Sequence, residues 1–182
     1  KDDARRINGM ITNIDENVGK VIDKLDELNI KEETLIIFMS DNGPQQIRYN
    51  GRMKGRKGTV YSGGTRVPFY LKYPNKFSQP KEINQLSAHI DILPTISEIC
   101  NVDLPQDRKI DGKSLMPLIE NKNTNQRHLF SYWTRRYPEK YINISIQNDS
   151  YKLVGNTDYN SNIENFELYN LIKDPYENNN IV

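Results

Sequence analysis

The chain has 182 residues, of which 36% are hydrophobic and 27% are charged, and its formal net charge at pH 7 is +1. This balance is typical of a globular protein and lacks the basic excess that nucleic acid or an acidic membrane would attract. No apolar run approaches the roughly 20 residues that a membrane-spanning helix needs. We therefore expect neither nucleic acid nor a membrane as a partner. The single cysteine, Cys100, excludes an internal disulfide, and its apolar surroundings predict that it is buried.

The first predicted element is a long amphipathic helix over residues 5–28. Its apolar side chains recur at spacings of three and four residues, at Ile7, Met10, Ile11, Ile14, Val18, Val21, Ile22, Leu25 and Leu28. Such spacing places them on one face of the helix, which we expect to be buried.

A continuous apolar run follows at Thr34–Met39 and ends at the turn residues Ser40-Asp41-Asn42-Gly43-Pro44. Because the run does not alternate with polar residues, it predicts a strand covered on both faces, as in a parallel sheet flanked by helices. A helix, a buried strand and a polar turn in succession indicate an α/β fold. In such folds ligands collect beyond the carboxyl ends of the strands.

The remaining elements are shorter. Residues 45–64 form a long loop rich in Gly, Arg and Lys, and loops of this length in compact domains usually have a function. We predict strands at 67–74 and 83–89, helices at 91–99 and 115–119, and a linker at 121–126. Beyond the linker, β-like runs at 129–134, 141–147, 151–154 and 166–171 predict an antiparallel meander. The predicted organisation is an α/β domain over residues 1–122 and a small antiparallel β subdomain over residues 123–182.

Two groups of residues suggest chemistry. Asp41 and Asn42 directly follow the predicted strand, and a carboxylate with an amide oxygen suits a hard cation such as Ca²⁺ or Mg²⁺, although Asp-Asn-Gly is also a common turn. Lys57 lies among glycines that let the backbone approach a ligand, and its charge suits sulfate or phosphate, although such a loop can equally be a solvated surface. The two histidines, His89 and His128, do not have the spacing of zinc ligands.

Six segments in order resemble the sulfatase family, within the alkaline phosphatase-like superfamily. They are the helix Ile7–Leu28, the strand and turn Thr34–Pro44 (TLIIFMSDNGP), the loop Gly55–Pro68 (GRKGTVYSGGTRVP), and the later segments His89–Ile96 (HIDILPTI), Asp111–Leu118 (DGKSLMPL) and Phe166–Asn178 (FELYNLIKDPYEN). The resemblance implies the carboxy-terminal part of an alkaline phosphatase-like α/β sandwich domain, followed by a small antiparallel β subdomain.

The resemblance also implies roles for individual residues. Asp41 and Asn42 would bind a divalent cation, usually calcium in this family, with magnesium as the alternative. Lys57 would contact a sulfate oxygen and the hydrated aldehyde of formylglycine, the nucleophile that the family makes from Cys or Ser. The substrate would be a sulfated small molecule or glycan, which Arg48 and Arg52 of the loop are expected to contact. By family analogy the parent protein would be periplasmic or extracellular.

The departures from the family pattern are informative too. The Cys/Ser-x-Pro-x-Arg motif that forms formylglycine is absent from the 182 residues, as are the early Asp-Asp metal ligands and the assisting histidines. We therefore expect a carboxy-terminal portion that has no nucleophile and is inactive alone. Its unpaired sheet edge should make it self-associate or leave apolar surface exposed. Ser62 stands where the family usually has Glu, which bears on the packing of the loop.

Two other functions fit the same residues. A phosphodiesterase or phosphonate hydrolase of the superfamily would share the strand that ends at Asp41, and a Thr or Ser nucleophile with two metals would distinguish it. A non-catalytic glycan-binding relative would be compatible with Ser62 and with the absent nucleophile. The retention of Asp41, Asn42 and Lys57 favours an enzyme over this alternative.

Overall fold

The computed structural model describes residues 2–46, 49–77, 79–122, 124–135, 137, 140–155 and 161–182. In chain order the helices and strands are α1 (Asp2–Glu27), β1 (Ile36–Met39), α2 (Ser62–Thr65), β2 (Phe69–Lys72), α3 (Ile92–Cys100), α4 (Met116–Ile119), β3 (Leu129–Tyr132), β4 (Ile144–Gln147), β5 (Tyr151–Gly155) and β6 (Glu167–Asn170). Short 3-10 turns occur at Lys31–Glu33, His89–Asp91 and Ile163–Asn165. Helices combined with antiparallel sheets confirm the α/β class. Within the described ranges, no helix has the length and apolar character to cross a membrane.

The chain divides into two compact units, one formed by Lys1–Met39 and Pro68–Pro80, the other by Ser40–Val67 and Lys81–Val182. In the first unit, the turn that follows α1 contains Asn29, whose backbone is left-handed with φ 56°. The amide of Ile30 donates to Leu25 O at 3.0 Å and that of Asn29 to Asp26 O at 2.9 Å. This pair of hydrogen bonds is a Schellman motif, which satisfies the last carbonyls of the helix.

The helix α1 is confirmed, but the expectation that its apolar face is buried is wrong for this structure. Met10 is 57% exposed and Val21 is 59% exposed, and both lie on the predicted stripe. Apolar periodicity identifies the face of a helix that is suited to burial. It does not identify the element that would cover that face. The buried position predicted for Cys100 is also wrong, because the thiol is exposed at the end of α3.

The strand β1 is also confirmed, but its predicted surroundings are not. It pairs antiparallel with β2, with Ile36 opposite Lys72 and Met39 opposite Phe69, rather than joining a parallel sheet. Phe38 is 42% exposed, so β1 is not covered on both faces. A continuous apolar run indicates the need for cover on both sides, whereas strand direction depends on a partner that the run itself does not identify.

The second unit contains an antiparallel sheet in the order β3-β4-β5-β6, which confirms the predicted meander. Its small core consists of Val60, Tyr61, Val154 and Tyr169, with Leu171 packed against it. Val60 and Tyr61 come from the glycine-rich loop and the other two from β5 and β6. The core therefore packs that loop directly against the sheet. The division of the chain at residue 122 stays a prediction.

The strand predicted at 83–89 is wrong, because residues 81–88 contain no strand and a 3-10 turn begins at His89. The completely buried carboxylate of Asp91 organises this region. It accepts hydrogen bonds from the amides of Ala88 and Lys113, both at 2.8 Å, and from the guanidinium of Arg127 at 2.8 Å. These bonds to a side chain replace the ladder bonds that a strand would make.

A polar network joins the loop to β6 above the core. Glu167 accepts hydrogen bonds from Lys54 Nζ at 3.0 Å, Tyr61 OH at 2.6 Å and Tyr169 OH at 2.5 Å. Burial by itself would raise the pKa of the Glu167 carboxyl, but the hydrogen bonds from Tyr169, Tyr61 and Lys54 outweigh burial and hold the pKa below its ordinary value. Burial and the adjacent carboxylate raise the pKa of the Tyr169 phenol, so that it stays a donor.

This network predicts a pH-dependent contribution to stability. Replacing Glu167 with Gln should lower the free energy of unfolding by about 1–2 kcal/mol at neutral pH, because hydrogen bonds to a charged acceptor are lost. A carboxyl whose pKa is lowered by folding stabilises the fold above its ordinary pKa of about 4.3 and ceases to do so as the pH falls through the folded-state pKa. Urea titrations should therefore show a wild-type advantage that is constant at neutral pH and shrinks below about pH 4. A constant advantage down to about pH 3 would contradict this assignment.

Candidate functional site

The turn that carries Asp41 and Asn42 follows β1 directly in the chain. Ser40 Oγ donates to Asn42 O at 3.0 Å, and Asn42 Nδ2 donates to Gly43 O at 3.1 Å. The amide nitrogen of Asn42 is thus directed back to the turn, and its amide oxygen is the atom that it can offer to a cation. The side chain of Asp41 is exposed and that of Asn42 is half-buried.

The loop that carries Lys57 lies against this turn. The amide of Gly43 donates to Gly64 O at 2.9 Å, and the amide of Lys57 donates to Pro44 O at 3.0 Å. A Cβ at Gly43 would lie 1.8 Å from Gly63 O, so this approach is open only to glycine. The structure therefore brings the turn with Asp41 and Asn42 and the loop with Lys57 into direct backbone contact, although they are separate in the sequence.

The loop has its own internal supports. Gly55 and Gly58 have φ values of 83° and 82°, a left-handed backbone that glycine adopts without strain. The amide of Gly63 donates to Lys54 O at 2.7 Å, which closes the loop on itself. Lys57 lies between the two left-handed glycines, and its side chain is exposed.

His89 also contacts the turn that carries Asp41 and Asn42. Its Nε2 lies 2.9 Å from Ser40 O, the carbonyl directly before Asp41. Because a carbonyl oxygen only accepts hydrogen bonds, Nε2 is the protonated nitrogen in this contact. The partner of His89 lies 49 residues away along the chain.

A buried ion pair, Lys152 with Glu177, contacts the loop at Ser62. Glu177, which is completely buried, accepts hydrogen bonds from the amide of Ser62 at 2.8 Å and from Ser62 Oγ at 2.6 Å. Lys152 of β5 forms an ion pair with the same carboxylate at 2.8 Å, and both side chains are completely buried. Burial lowers the pKa of Lys152, and the adjacent Glu177 opposes that fall. The carboxylate thus holds the start of α2 in place.

The small size of the Ser62 side chain is explained by its contact with Glu177. Its short side chain leaves room for the carboxylate of Glu177, which reaches it from a position 115 residues later. This pair was not predicted, because no residue near Glu177 or Lys152 in the sequence indicates that the two side chains meet. The only available signal was Glu177 within the closing segment Phe166–Asn178.

Two arginines were predicted to contact the substrate, and the structure describes one of them. Arg48 lies outside the described residues. Arg52 is exposed, with a left-handed φ of 66°, in a turn closed by Asn50 Nδ2, which donates to Met53 O at 2.8 Å. The substrate role of both arginines stays a prediction.

The donor set fits part of a divalent cation site. Asp41 and Asn42 offer a carboxylate and an amide oxygen, which are ligands that Ca²⁺ and Mg²⁺ prefer. Ca²⁺ takes about six to eight oxygen ligands, so these two side chains supply a minority of a coordination shell. Among the residues that the structure describes, no group of three or more His, Cys, Asp or Glu side chains could hold a metal.

The buried ion pair between Lys152 and Glu177 predicts how substitutions change the stability of the fold. Lys152→Met should lower the free energy of unfolding by about 3–5 kcal/mol, because Glu177 is left as an uncompensated buried charge. Lys152→Met combined with Glu177→Gln should recover most of that loss, because no buried charge remains and the amide oxygen still accepts from Ser62. Urea unfolding of both variants measures the difference. Equal stability of the single and double variants would contradict a charged pair at this position.

The close contact between Gly43 and the loop predicts that a side chain at position 43 destabilises the fold. Gly43→Ala should lower the free energy of unfolding by about 1–3 kcal/mol, because the new methyl group collides with the backbone at Gly63. Gly19→Ala on α1 is the matched control, since a Cβ there meets nothing within 4 Å. The control should gain up to about 1 kcal/mol from helix propensity. If Gly43→Ala is as stable as wild type by urea unfolding, the close approach of turn and loop is wrong.

Comparison with known proteins gives consistent matches along the whole chain. Residues 2–102 match the family model Sulfatase, and residues 55–182 match the model N-sulphoglucosamine sulphohydrolase, C-terminal. Human steryl-sulfatase is 34% identical over 143 residues, which cover 73% of this chain and 24% of that protein. A sulfatase of Formosa agariphila is 35% identical over 191 residues, which cover 93% of this chain and 34% of that protein.

Solved structures agree with these matches. BT4656, solved in complex with its substrate D-glucosamine-2-N,6-O-disulfate, is similar with a TM-score of 0.66 and 27% identity over 94% of this chain and 34% of its own. The PsFucS1 sulfatase from Pseudoalteromonas sp. has a TM-score of 0.73 and 24% identity over 93% of this chain and 37% of its own, which shows a shared fold. The chain thus spans about a quarter to two fifths of the length of these relatives. It belongs to the sulfatase family and corresponds to the carboxy-terminal portion of the family fold.

Proposed function

We propose that this chain supplies the cation-binding turn and the sulfate-binding lysine of an enzyme that hydrolyses sulfuric esters. The observation that carries the proposal is the backbone contact between the turn and the loop, made through Gly43 N to Gly64 O and Lys57 N to Pro44 O. This contact brings the segment with two oxygen ligands beside the segment with the cationic side chain. Both segments lie in the second unit.

The proposed roles follow from the chemistry of the side chains. Asp41 and Asn42 bind a divalent cation, calcium in the first instance and magnesium as the alternative, through a carboxylate and an amide oxygen. The bound cation supplies charge stabilisation to the sulfate group that is transferred. Lys57 donates from its ammonium group to an oxygen of the same sulfate, and a fixed positive charge at this point stabilises the negative charge that develops there.

The nucleophile in this proposal lies outside the 182 residues. They contain no Cys/Ser-x-Pro-x-Arg motif, so the formylglycine expected for the family would come from another segment of the complete gene product. We accordingly expect the 182-residue chain to release no sulfate by itself. Its contribution is to position the substrate's sulfate group and to stabilise its charge.

A sulfated sugar is the substrate class that we propose. BT4656, which shares the fold at a TM-score of 0.66, was solved with a disulfated glucosamine. Arg48 and Arg52 belong to the same long loop as Lys57, and we propose that they contact the acidic or hydroxyl groups of the sugar. Steryl-sulfatase is also similar to this chain, so a sulfated sterol is the substrate to compare in the same assay.

The test separates cation binding from turnover in the complete gene product. Asp41→Asn should weaken calcium binding, measured by isothermal titration, by at least about tenfold, a loss that even partners of metal ligands can cause. Lys57→Ala should leave calcium binding unchanged and lower kcat on glucosamine 6-sulfate about 10²- to 10³-fold, the typical effect of removing one group that stabilises the transition state. Lys173→Ala, an exposed lysine in the turn after β6, is the matched control and should change neither quantity.

Two results would contradict the proposal. One is a Lys57→Ala variant that turns over substrate as fast as the Lys173→Ala control. The other is an Asp41→Asn variant with wild-type calcium affinity. Either result would separate these residues from the chemistry, even though the chain belongs to the sulfatase family.

A further inference from the structure

We propose that Trp133 forms a platform on which the sugar ring of a sulfated substrate stacks beside Lys57, with Arg135 pairing with an acidic group of the same sugar. The inference rests on the proposed function and adds the residues that select the organic part of the substrate. Trp133 is the only tryptophan of the chain and directly follows β3.

The indole of Trp133 lies against the loop that carries Lys57. A Cβ at Gly58 would lie 3.3 Å from Cζ2 and 3.5 Å from both Cε2 and Cη2 of Trp133. Gly58 directly follows Lys57 and has a left-handed φ of 82°, so the backbone turns under the ring at this point. The indole is thus the large apolar group that contacts the loop next to the proposed sulfate-binding lysine.

A buried amide fixes the backbone that carries the indole. Asn143 Nδ2 donates to Gly58 O at 3.0 Å and to Trp133 O at 3.1 Å, and Asn143 Oδ1 accepts from the amide of Val60 at 3.1 Å. The amide of Trp133 also donates to Asn143 O at 3.1 Å. Asn143 is 4% exposed, so these bonds are protected from water. The platform and the loop are therefore held together before any ligand arrives, which lowers the entropic cost of binding.

The exposure of the ring points to a ligand. Trp133 remains 41% exposed although its backbone is anchored by a buried residue. This exposed fraction is large for a tryptophan, a residue type that is highly buried on average. An exposed indole on an anchored backbone offers an apolar surface, together with an N–H donor, to a ring that has both apolar C–H groups and hydroxyls. A pyranose has these features.

Arg135 adds charge selectivity. Its guanidinium carbon lies 5.7 Å from the centre of the Trp133 ring, within cation–π distance. The planar guanidinium is always charged and matches the oxygens of a sulfate or carboxylate in a two-pronged contact. A sugar that stacks on Trp133 and carries a second acidic group would therefore engage both side chains. The chemical class is an anionic, sulfated sugar rather than a neutral one.

The single tryptophan makes the platform observable without turnover. In the 182-residue chain, D-glucosamine-2-N,6-O-disulfate should change the intrinsic fluorescence in a saturable way, and glucosamine 6-sulfate, which lacks the second acidic group, should bind at least about tenfold more weakly, the loss expected for one charge-assisted contact. Arg135→Gln should weaken binding of the disulfated sugar by a similar factor and leave binding of the 6-sulfate unchanged. Phe130→Ala, an exposed aromatic on β3, is the matched control and should leave the titration unchanged. Absence of a saturable change in the wild-type chain would overturn the platform.

Kinetics of the complete gene product separate binding from support of the loop. Trp133→Ala should raise KM for glucosamine 6-sulfate by about tenfold and leave kcat nearly unchanged, because it removes binding that is equal in the ground and transition states. Trp133→Phe should recover part of the loss by restoring an aromatic face. A fall in kcat with KM unchanged would mean that Trp133 only supports the loop, and would overturn the platform. If instead Lys57→Ala is fully active, the proposed function fails while the fluorescence titration still decides the platform.

Discussion

The contact between two backbone segments, at Gly43 and Gly64 and at Lys57 and Pro44, is the constraint on which the rest of this structure depends. Neither segment has a regular structure long enough to fix itself, and the side chains of Asp41 and Lys57 are exposed. Their relative position is therefore set by main-chain atoms, and the glycines are required because a Cβ would not fit between the two segments. A site built in this way can keep its polar side chains free for a cation and an oxyanion.

Two buried polar groups hold the loop from behind. Glu177 binds the start of α2 and is paired with Lys152, and Asn143 binds Gly58, Val60 and Trp133. Both groups join the loop to the antiparallel sheet, so β5 and the segment around β4 act as the scaffold for Lys57. The cost of burying Lys152 and Glu177 is offset only if both are present, which makes the pair a sensitive point of the fold. The small sheet thus has a function beyond its own stability, because it fixes the loop.

Local patterns in the sequence predicted the elements well and their surroundings poorly. The spacing of apolar residues located α1, and polar turns located the strands of the meander. Both signals come from residues that are close together in the sequence. The antiparallel pairing of β1 with β2 and the exposure of α1 were not predicted, because strand direction and cover depend on residues far away in the chain. The false strand at 83–89 has the same cause, since Asp91 draws its partners from Lys113 and Arg127.

The candidate site shows the same contrast between local sequence signals and contacts that join distant residues. Asp41, Asn42 and Lys57 were proposed from local chemistry and from the resemblance to the sulfatase family, whereas Glu177, Asn143 and Trp133 make contacts that span 115, 85 and 75 residues. No local pattern marks such residues. Ser62 was noticed as a departure from the family, and the structure shows that its hydroxyl donates to the buried carboxylate of Glu177.

The most direct test is a crystal structure of the complete gene product grown with calcium and inorganic sulfate. We expect Asp41 and Asn42 to place oxygens about 2.3–2.6 Å from one calcium ion. We expect Lys57 Nζ to lie within about 3.2 Å of an oxygen of a sulfate at the same site. A structure in which these three side chains face different cavities, or in which calcium binds without Asp41, would contradict the account.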